Sequence, residues 1–363
     1  MIHSIEKRTD TDEPSIQHYA EFKKFQTDVL HLGYILDGLT IFSWLDLLIE
    51  IVNYVHKNNI KLILLDRTGE PRILDYQPTT NDISTLKIQE HLSRICETVI
   101  VTDDWTYFYK PQSHILFFPY NLWIQSTRNI SKYYVYQDTV YDTTIDKTKP
   151  LMCLNRNLQW HRIYLLSLVY DAPWLPLVDF SFILSIDEKM KTREGQAFFT
   201  YEEGAVIEKV STPIYLDYEN ADCDIRVGYS NGASNVNTPV YARCAVNLIT
   251  ETSVDEGIVL TEKITKAILA YQIPILISNT GASQFLEDIG IDMFSDYVPW
   301  KTWYRYTNDK IRIQKIVRFV NKIMRHPDRI LLTHRSFHQR LIKNKETFHS
   351  KDFARLITKQ LDI

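Results

Sequence analysis

The residues with the most chemical content lie between Asn247 and Ser278, in NLITETSVDEGIVLTEKITKAILAYQIPILIS. An apolar run ends in Thr250-Glu251-Thr252, a polar loop follows, and Thr261-Glu262-Lys263 opens an amphipathic stretch that closes before Pro274. Thr261 has the chemistry of a helix N-cap, and a helix start beside strand carboxyl ends offers free N–H groups and a positive dipole end to an anion. Lys263 adds an ammonium that can neutralise a diphosphate. Glu251 or Glu262 can accept two hydroxyl hydrogen bonds at once, as a ribose or a sugar presents them. The plainer reading is an ordinary helix start, with Glu262 favoured by the dipole and Lys263 solvated. Both readings fit the residues alone.

A second cluster has the same logic. The apolar run Leu151–Leu154 ends at Asn155-Arg156, and a helix pattern opens at His161-Arg162, so these four residues belong at a strand-to-helix crossover. Arginine there is suited to holding phosphate oxygens in two-point fashion. Three carboxylates end apolar runs nearer the N-terminus: Asp66 after Leu62–Leu65, and Asp103 and Asp104 after Val99–Val101. A carboxylate so placed can take a proton from a hydroxyl, although turns and caps also favour Asp.

Other patterns carry less. Asp222-Cys223-Asp224 is a D-x-D triplet, a divalent-metal signature, but it sits in a polar loop with no apolar strand leading in. His334 and His338 are four apart without a third ligand, so no metal site is expected. Neither a G-x-G-x-x-G nor a Walker A pattern occurs, which weakens kinase and dinucleotide-dependent oxidoreductase readings.

The order E-T-S, loop, L-T-E-K-I, amphipathic helix and I-P-I-L-I-S resembles the donor segment of fucosyltransferase-like and exostosin-like glycosyltransferases of the GT-B fold. Phe285-Leu286 and Gly290-Ile291-Asp292-Met293-Phe294 resemble the stretch that follows it in exostosin-like members. The resemblance covers roughly residues 150–300. Thr252 stands where fucosyltransferases have Asn, and the loop from Glu251 to Glu262 is one residue longer. The resemblance implies two α/β domains facing a cleft, with Lys263 on the donor diphosphate and Glu251, Thr252, Thr261 and Glu262 near sugar or ribose. It also implies that Asn155, Arg156, His161 and Arg162 line the same crevice, and that a base comes from Asp66, Asp103 or Asp104. No cofactor is expected beyond the nucleoside-diphosphate sugar as donor, a UDP sugar among the candidates, and no metal. Phage enzymes that glycosylate hydroxymethylated DNA bases pair such a donor site with a basic acceptor face. A DNA acceptor is therefore weighed beside a glycan hydroxyl or lipid acceptor, and beside a non-catalytic nucleic-acid-binding protein.

The elements that must position these residues follow from apolar spacing. Positions recurring from Ile41 to His56 predict a helix, followed by a strand at Leu62–Leu65. Thr85–Cys96 reads as helix, Val99–Val101 as strand, and Ile115–Phe118 as a strand stopped by Pro119. Beyond a polar, aromatic stretch from Ser131 to Lys149 the alternation resumes. Strands are expected at Leu151–Leu154, Phe180–Ile186, Ile214–Leu216, Ala245–Ile249 and Ile273–Ile277. Helices are expected at Trp160–Tyr170, Thr261–Tyr271, Ser283–Ile289 and Asp309–Arg325. Alternating elements of this kind make an α/β protein with parallel sheets. The expected domains are an acceptor-side domain over 1–145, a nucleotide-sugar domain over 146–325, and a basic helical segment over 326–363 packing back toward the first.

Length and composition agree with two domains: 363 residues, 45% apolar and 24% charged, can bury a large core. The net charge of -4 conceals an asymmetry. Residues 301–363 hold 16 Lys+Arg against 5 Asp+Glu, leaving 25 against 40 for the rest. Such a basic end suits either a polyanion or an acidic neighbour within the chain. The four cysteines show no C-x-x-C spacing, which argues against a disulfide framework. With neither a signal pattern nor a long apolar run, the expected setting is cytoplasmic, without a membrane partner, as a monomer or homodimer.

Overall fold

The computed structural model describes residues 2–4, 29–32, 41–67, 84–102, 104, 106–109, 112–117, 147–155, 159–182, 238–251, 254 and 260–350. The chain divides into two compact units, Met1–Trp123 with Asp352–Ile363, and Ile124–Lys351. Several expected features lie outside the described residues: the polar stretch up to residue 146, the strand at 214–216, the Asp222-Cys223-Asp224 triplet and the last basic residues, 351–363.

The first unit is a five-stranded parallel sheet in chain order: β1 (Ile2–Ser4), β2 (Val29–Leu32), β3 (Leu62–Arg67), β4 (Glu97–Thr102) and β5 (Ile115–Phe117). Parallel neighbours need crossovers. Here α1 (Ile41–Asn58) joins β2 to β3, α2 (Thr85–Ser93) joins β3 to β4, and the short α3 (Thr106–Tyr109) joins β4 to β5. Trp44, Ile51 and Val55 of α1 pack on Leu30, Ile63, Leu65 and Ile100 of the sheet, with Ile88 and Leu92 of α2, whereas Leu45 and Ile49, which the apolar spacing places on the buried face with Val55, are exposed. α1 ends where Asn59 takes φ 51°, a left-handed conformation that Asn tolerates, and Ile60 N closes back on Val55 O at 3.1 Å. Sequence periodicity does not find β1 and β2; with three and four residues they are too short to show a pattern.

The second unit holds a four-stranded parallel sheet built from β6 (Lys149–Asn155), β7 (Asp179–Phe182), β8 (Cys244–Thr250) and β9 (Ile273–Ile277), in the spatial order β7-β6-β8-β9. Every residue of β8 and β9 is buried, as expected of a parallel sheet covered on both faces. Pro274 is tolerated because β9 lies at an edge of the described sheet, where a missing N–H costs no ladder bond. Around the sheet run α4 (Trp160–Val169), α5 (Thr238–Arg243), α6 (Glu262–Leu269), α7 (Ala282–Asp288), α8 (Trp300–Trp303), α9 (Asp309–Ile323), α10 (Pro327–Ser336) and α11 (His338–Ser350). Both α/β halves of the sequence reading are thus present.

The basic C-terminal helices pack on the second unit through specific polar contacts. Gln314 Nε2 of α9 donates to Tyr164 Oη of α4 at 2.6 Å, and Trp174 Nε1 donates to Asn321 Oδ1 at 2.7 Å. The Asn344 side chain of α11 bonds both Asp292 N and Asp292 O, and Arg340 pairs with Asp292 and Asp296 while lying over the Phe294 and Phe337 rings. α7 closes with Gly290 at φ 92°, a region a side chain rarely adopts. Tyr271, after α6, takes φ 53° without being glycine. Its carbonyl accepts from His334 Nε2 of α10 at 2.6 Å, and its hydroxyl from Lys345 Nζ of α11 at 3.1 Å. Partners on two helices hold a backbone conformation that would otherwise be disfavoured.

Candidate functional site

The strand order decides where the second unit can hold a ligand. From β6 the chain steps outward to β7, then returns past β6 to β8 and continues to β9. The chain therefore reverses direction between β6 and β8, and the carboxyl ends of those two strands mark the position at which open α/β sheets bind ligands. Asn155 ends β6, Thr250 ends β8, and Glu251 follows it directly.

Hydrogen bonds hold those two ends together. Thr250 Oγ1 donates to Asn155 Oδ1 at 2.5 Å, while Asn155 Nδ2 faces Cys153 Sγ at 3.3 Å, so the Asn155 amide is used within the edge. α4 begins beside it. His161 Nε2 donates to Glu251 O at 2.9 Å, and Arg162 Nη2 donates to Thr250 O at 3.4 Å and Glu251 O at 3.2 Å. These carbonyls end a strand and would otherwise be buried without donors, a cost of about 1–3 kcal/mol each. His161 and Arg162 are both buried, and their described bonds go to backbone.

Glu251 is the centre of the arrangement. Its N–H extends the ladder to Ile277 O of β9 at 3.0 Å, which turns its side chain toward the start of α6. Its carboxylate is fully buried and accepts from Thr261 Oγ1 at 2.5 Å and from Thr261 N at 3.4 Å. Thr261 caps α6, its Oγ1 accepting from Lys263 N at 3.5 Å, and Lys263 Nζ donates to the same oxygen at 3.0 Å. The ammonium lies 3.9 Å from Glu251 Oε2, with the lysine side chain 25% exposed and the glutamate side chain 0%. A carboxylate is tolerated in the interior only when donors and an opposite charge face it, and Thr261 with Lys263 supply both. Lys263 is consequently held by its own helix start, with about a quarter of its side chain exposed. The arrangement presents an ammonium and a helix dipole together at a strand switch point, which suits an anion.

Two solved structures are similar to this chain. One is a crystal structure of alpha1,3-fucosyltransferase, 12% identical, covering 93% of this chain and 78% of that one at a TM-score of 0.38. The other is a crystal structure of alpha1,3-fucosyltransferase with GDP-fucose, 10% identical, covering 89% and 90% at a TM-score of 0.35. No family model matches the chain, and no curated protein matches it. The α/β class follows from this chain's own parallel ladders.

The structure brings together Asn155, His161, Arg162, Glu251, Thr261 and Lys263 from the two sequence clusters. Glu262 opens α6 by its backbone, and its side chain lies outside the described residues, as do Arg156 and Thr252. In the first unit, Asp66 lies within β3, paired with Val101, because the ladder continues two residues past the apolar run. Asp104 follows β4; its N–H donates to Thr102 Oγ1 at 3.2 Å and its carbonyl accepts from Tyr107 N at 3.2 Å, the bonds of a residue that opens α3. Asp103 lies outside the described residues. Hollows of 660 Å3 and 380 Å3 open elsewhere in the second unit, one beside Trp174 and Arg325 and one beside Asp292 and Arg340; Glu251, Thr261 and Lys263 line neither. Among the described residues no group of three or more His, Cys, Asp or Glu side chains is arranged to hold a metal ion. Nor, among them, is any helix long and apolar enough to cross a membrane.

Sequence reasoning did not find the work of Arg312, a buried side chain of α9 that donates to Val254 O at 3.2 Å and to Ser278 O at 3.0 Å. Those partners lie 58 and 34 positions away, and no spacing rule reaches that far.

Proposed function

We propose that the protein is a glycosyltransferase that binds a nucleoside-diphosphate sugar at the carboxyl edge of β6 and β8 and moves the sugar to a hydroxyl acceptor. The observation that carries this is the Glu251-Thr261-Lys263 arrangement at the strand switch point, where an ammonium tops a helix start. Lys263 and the first amides of α6 would stabilise the departing diphosphate, the charge that develops as the glycosidic bond breaks. His161 and Arg162 would act one step back, fixing the Glu251 carbonyl and hence the course of the loop into α6. Glu262 is proposed for ribose or sugar hydroxyls. The acceptor proton would pass to a carboxylate, with Asp104, Asp66 and Asp103 as candidates. With lysine and dipole facing the diphosphate, the chemistry needs no resident metal. The likeness of the E-T-S to T-E-K segment to fucosyltransferase donor segments supports the same reading.

The test is a thermal-shift panel of nucleotide sugars and their free diphosphates, GDP and UDP derivatives included. A ligand present at a hundred times its dissociation constant stabilises by about 2.7 kcal/mol, enough to raise the melting temperature measurably. At least one donor class should do so. A panel without effect, confirmed by calorimetry, would remove the proposal.

The acceptor is open between a glycan or lipid hydroxyl and a hydroxymethylated base in DNA, and one observation favours the polyanion. On α9 the side chains Arg318 and Lys322 are exposed and Lys315 half-buried, at spacings that place them on one stripe, and the exposed Arg325 follows just past its end. Such a stripe can follow a phosphate backbone. An enzyme of that kind would have to take its target base out of the stack.

A further inference from the structure

We infer that Arg312 is a positioning residue for the anion site, fixing the carbonyl of Val254, between Glu251 and Thr261, beside the end of β9 and so supporting the setting of Thr261 and Lys263; this rests on the proposed diphosphate reading. The side chain is 2% exposed, yet it carries a positive charge. It spends that charge on backbone from three segments: Tyr306 O at 3.3 Å before α9, Val254 O at 3.2 Å in the loop, and Ser278 O at 3.0 Å just past β9. Asp309, one turn earlier on α9, supplies the counter-charge.

The location of these carbonyls gives the arginine its role. Ser278 follows Ile277, whose carbonyl accepts from Glu251 N, and Val254 lies three residues past Glu251. Arg312 therefore ties Val254 to the end of the same strand that holds the Glu251 amide. The Glu251 carbonyl is held by His161 and Arg162, its amide by β9 and its carboxylate by Thr261. Arg312 adds a hold on the Val254 carbonyl, three residues further along the chain. A planar guanidinium with five donors can satisfy three diverging carbonyls from a fixed position, whereas a lysine offers a single point. Without it, the carbonyls of Val254 and Ser278 would seek water, the loop would loosen, and Thr261 and Lys263 would lose their setting relative to the strand ends. The sheet beneath would be untouched.

The experiment compares wild type, Arg312→Lys and Arg312→Ala on the full chain, with three readouts: calorimetric affinity for GDP and UDP, hydrogen exchange, and the melting temperature without ligand. Expected are faster exchange of amides 254–261 with unchanged exchange in β8 and β9, and nucleoside-diphosphate affinity weakened on the order of tenfold to a hundredfold, the scale of a small misplacement. The lysine variant should fall between wild type and alanine. If wild type binds neither GDP nor UDP, the diphosphate reading fails, and the inference with it. If wild type binds and a folded Arg312→Ala binds equally well, only the positioning role fails. If both variants lose cooperative unfolding, Arg312 belongs to the stability of the whole unit and the inference is overturned.

Discussion

Lys263 is partly exposed at a helix start whose Thr261 cap faces inward, so at the scale of single residues it is where the proposed chemistry is most directly open to test. Lys263→Ala removes the ammonium but leaves the Thr261 hydroxyl bonded to Glu251. The Thr261 cap therefore persists, but the buried Glu251 carboxylate loses the charge that faces it, so the melting temperature should fall as well. Affinity for the donor diphosphate, measured calorimetrically, should fall by about 1.5–3 kcal/mol, the range for a hydrogen bond to a charged group. Unchanged affinity would mean the diphosphate lies elsewhere. The place of this residue at a capped helix start was legible in the sequence because N-cap, acid and lysine follow one another directly. The role of Glu251 was only half legible: a carboxylate beside a sugar and a carboxylate sealed against Thr261 look identical until the fold brings positions 251 and 261 together.

At the scale of elements, α6 and α9 carry opposite duties. α6 buries most of its length and offers only its first turn, whereas α9 packs one face on α4 through Tyr164 and turns a basic stripe outward. Reversing that stripe with Arg318→Glu, Lys322→Glu and Arg325→Glu separates the acceptor readings. If DNA is the acceptor, wild-type affinity for a short duplex falls steeply with salt, and the triple variant flattens the slope of log affinity against log salt by roughly 2–3 units. A wild type that ignores duplex at low salt, or a variant with the wild-type slope, would remove DNA while leaving donor binding intact. Helical periodicity revealed the boundaries of α9 within two residues. It could not reveal which apolar face meets which neighbour, since that depends on α4 arriving from 150 positions earlier.

At the scale of the whole molecule, polar groups buried at the amino edge of the second sheet couple its stability to pH. Lys147 sits there with its ammonium donating to Ala242 O at 2.8 Å and Ala270 O at 2.7 Å, and burial pushes its pKa down to about 8. His334 of α10 donates from Nε2 to Tyr271 O, so its Nδ1 carries a lone pair, which is buried without a partner. Burial pushes the imidazole down to about 4 from 6.5, opposed by the Tyr271 carbonyl and helped by the charges of Lys147, His338 and Arg335. The unfolded chain therefore binds the His334 proton first. The contribution of the neutral ring is complete above pH 6.5 and is lost as pH falls toward 4, on the order of 3 kcal/mol. Melting temperatures of wild type should fall more steeply across that interval than those of His334→Gln, whose amide can still donate to Tyr271. Equal slopes would show that the ring is not held neutral.

What the sequence determined by itself was local: the alternation that makes two parallel α/β halves, the cap at Thr261, the switch from strand to loop at Glu251, and the basic character of the last helices. Each of these depends on neighbours within a few positions, because helix and strand periods and caps are short-range physics. The tertiary structure alone decided that β6 and β8 lie side by side with the chain reversing between them, that His161 and Arg162 serve the carbonyls of Thr250 and Glu251, and that Arg312 anchors the loop. Those facts depend on strand order and on carbonyls left without donors where a ladder stops. No residue announces such a need in advance; it exists only once the sheet has formed and its open edge must be satisfied.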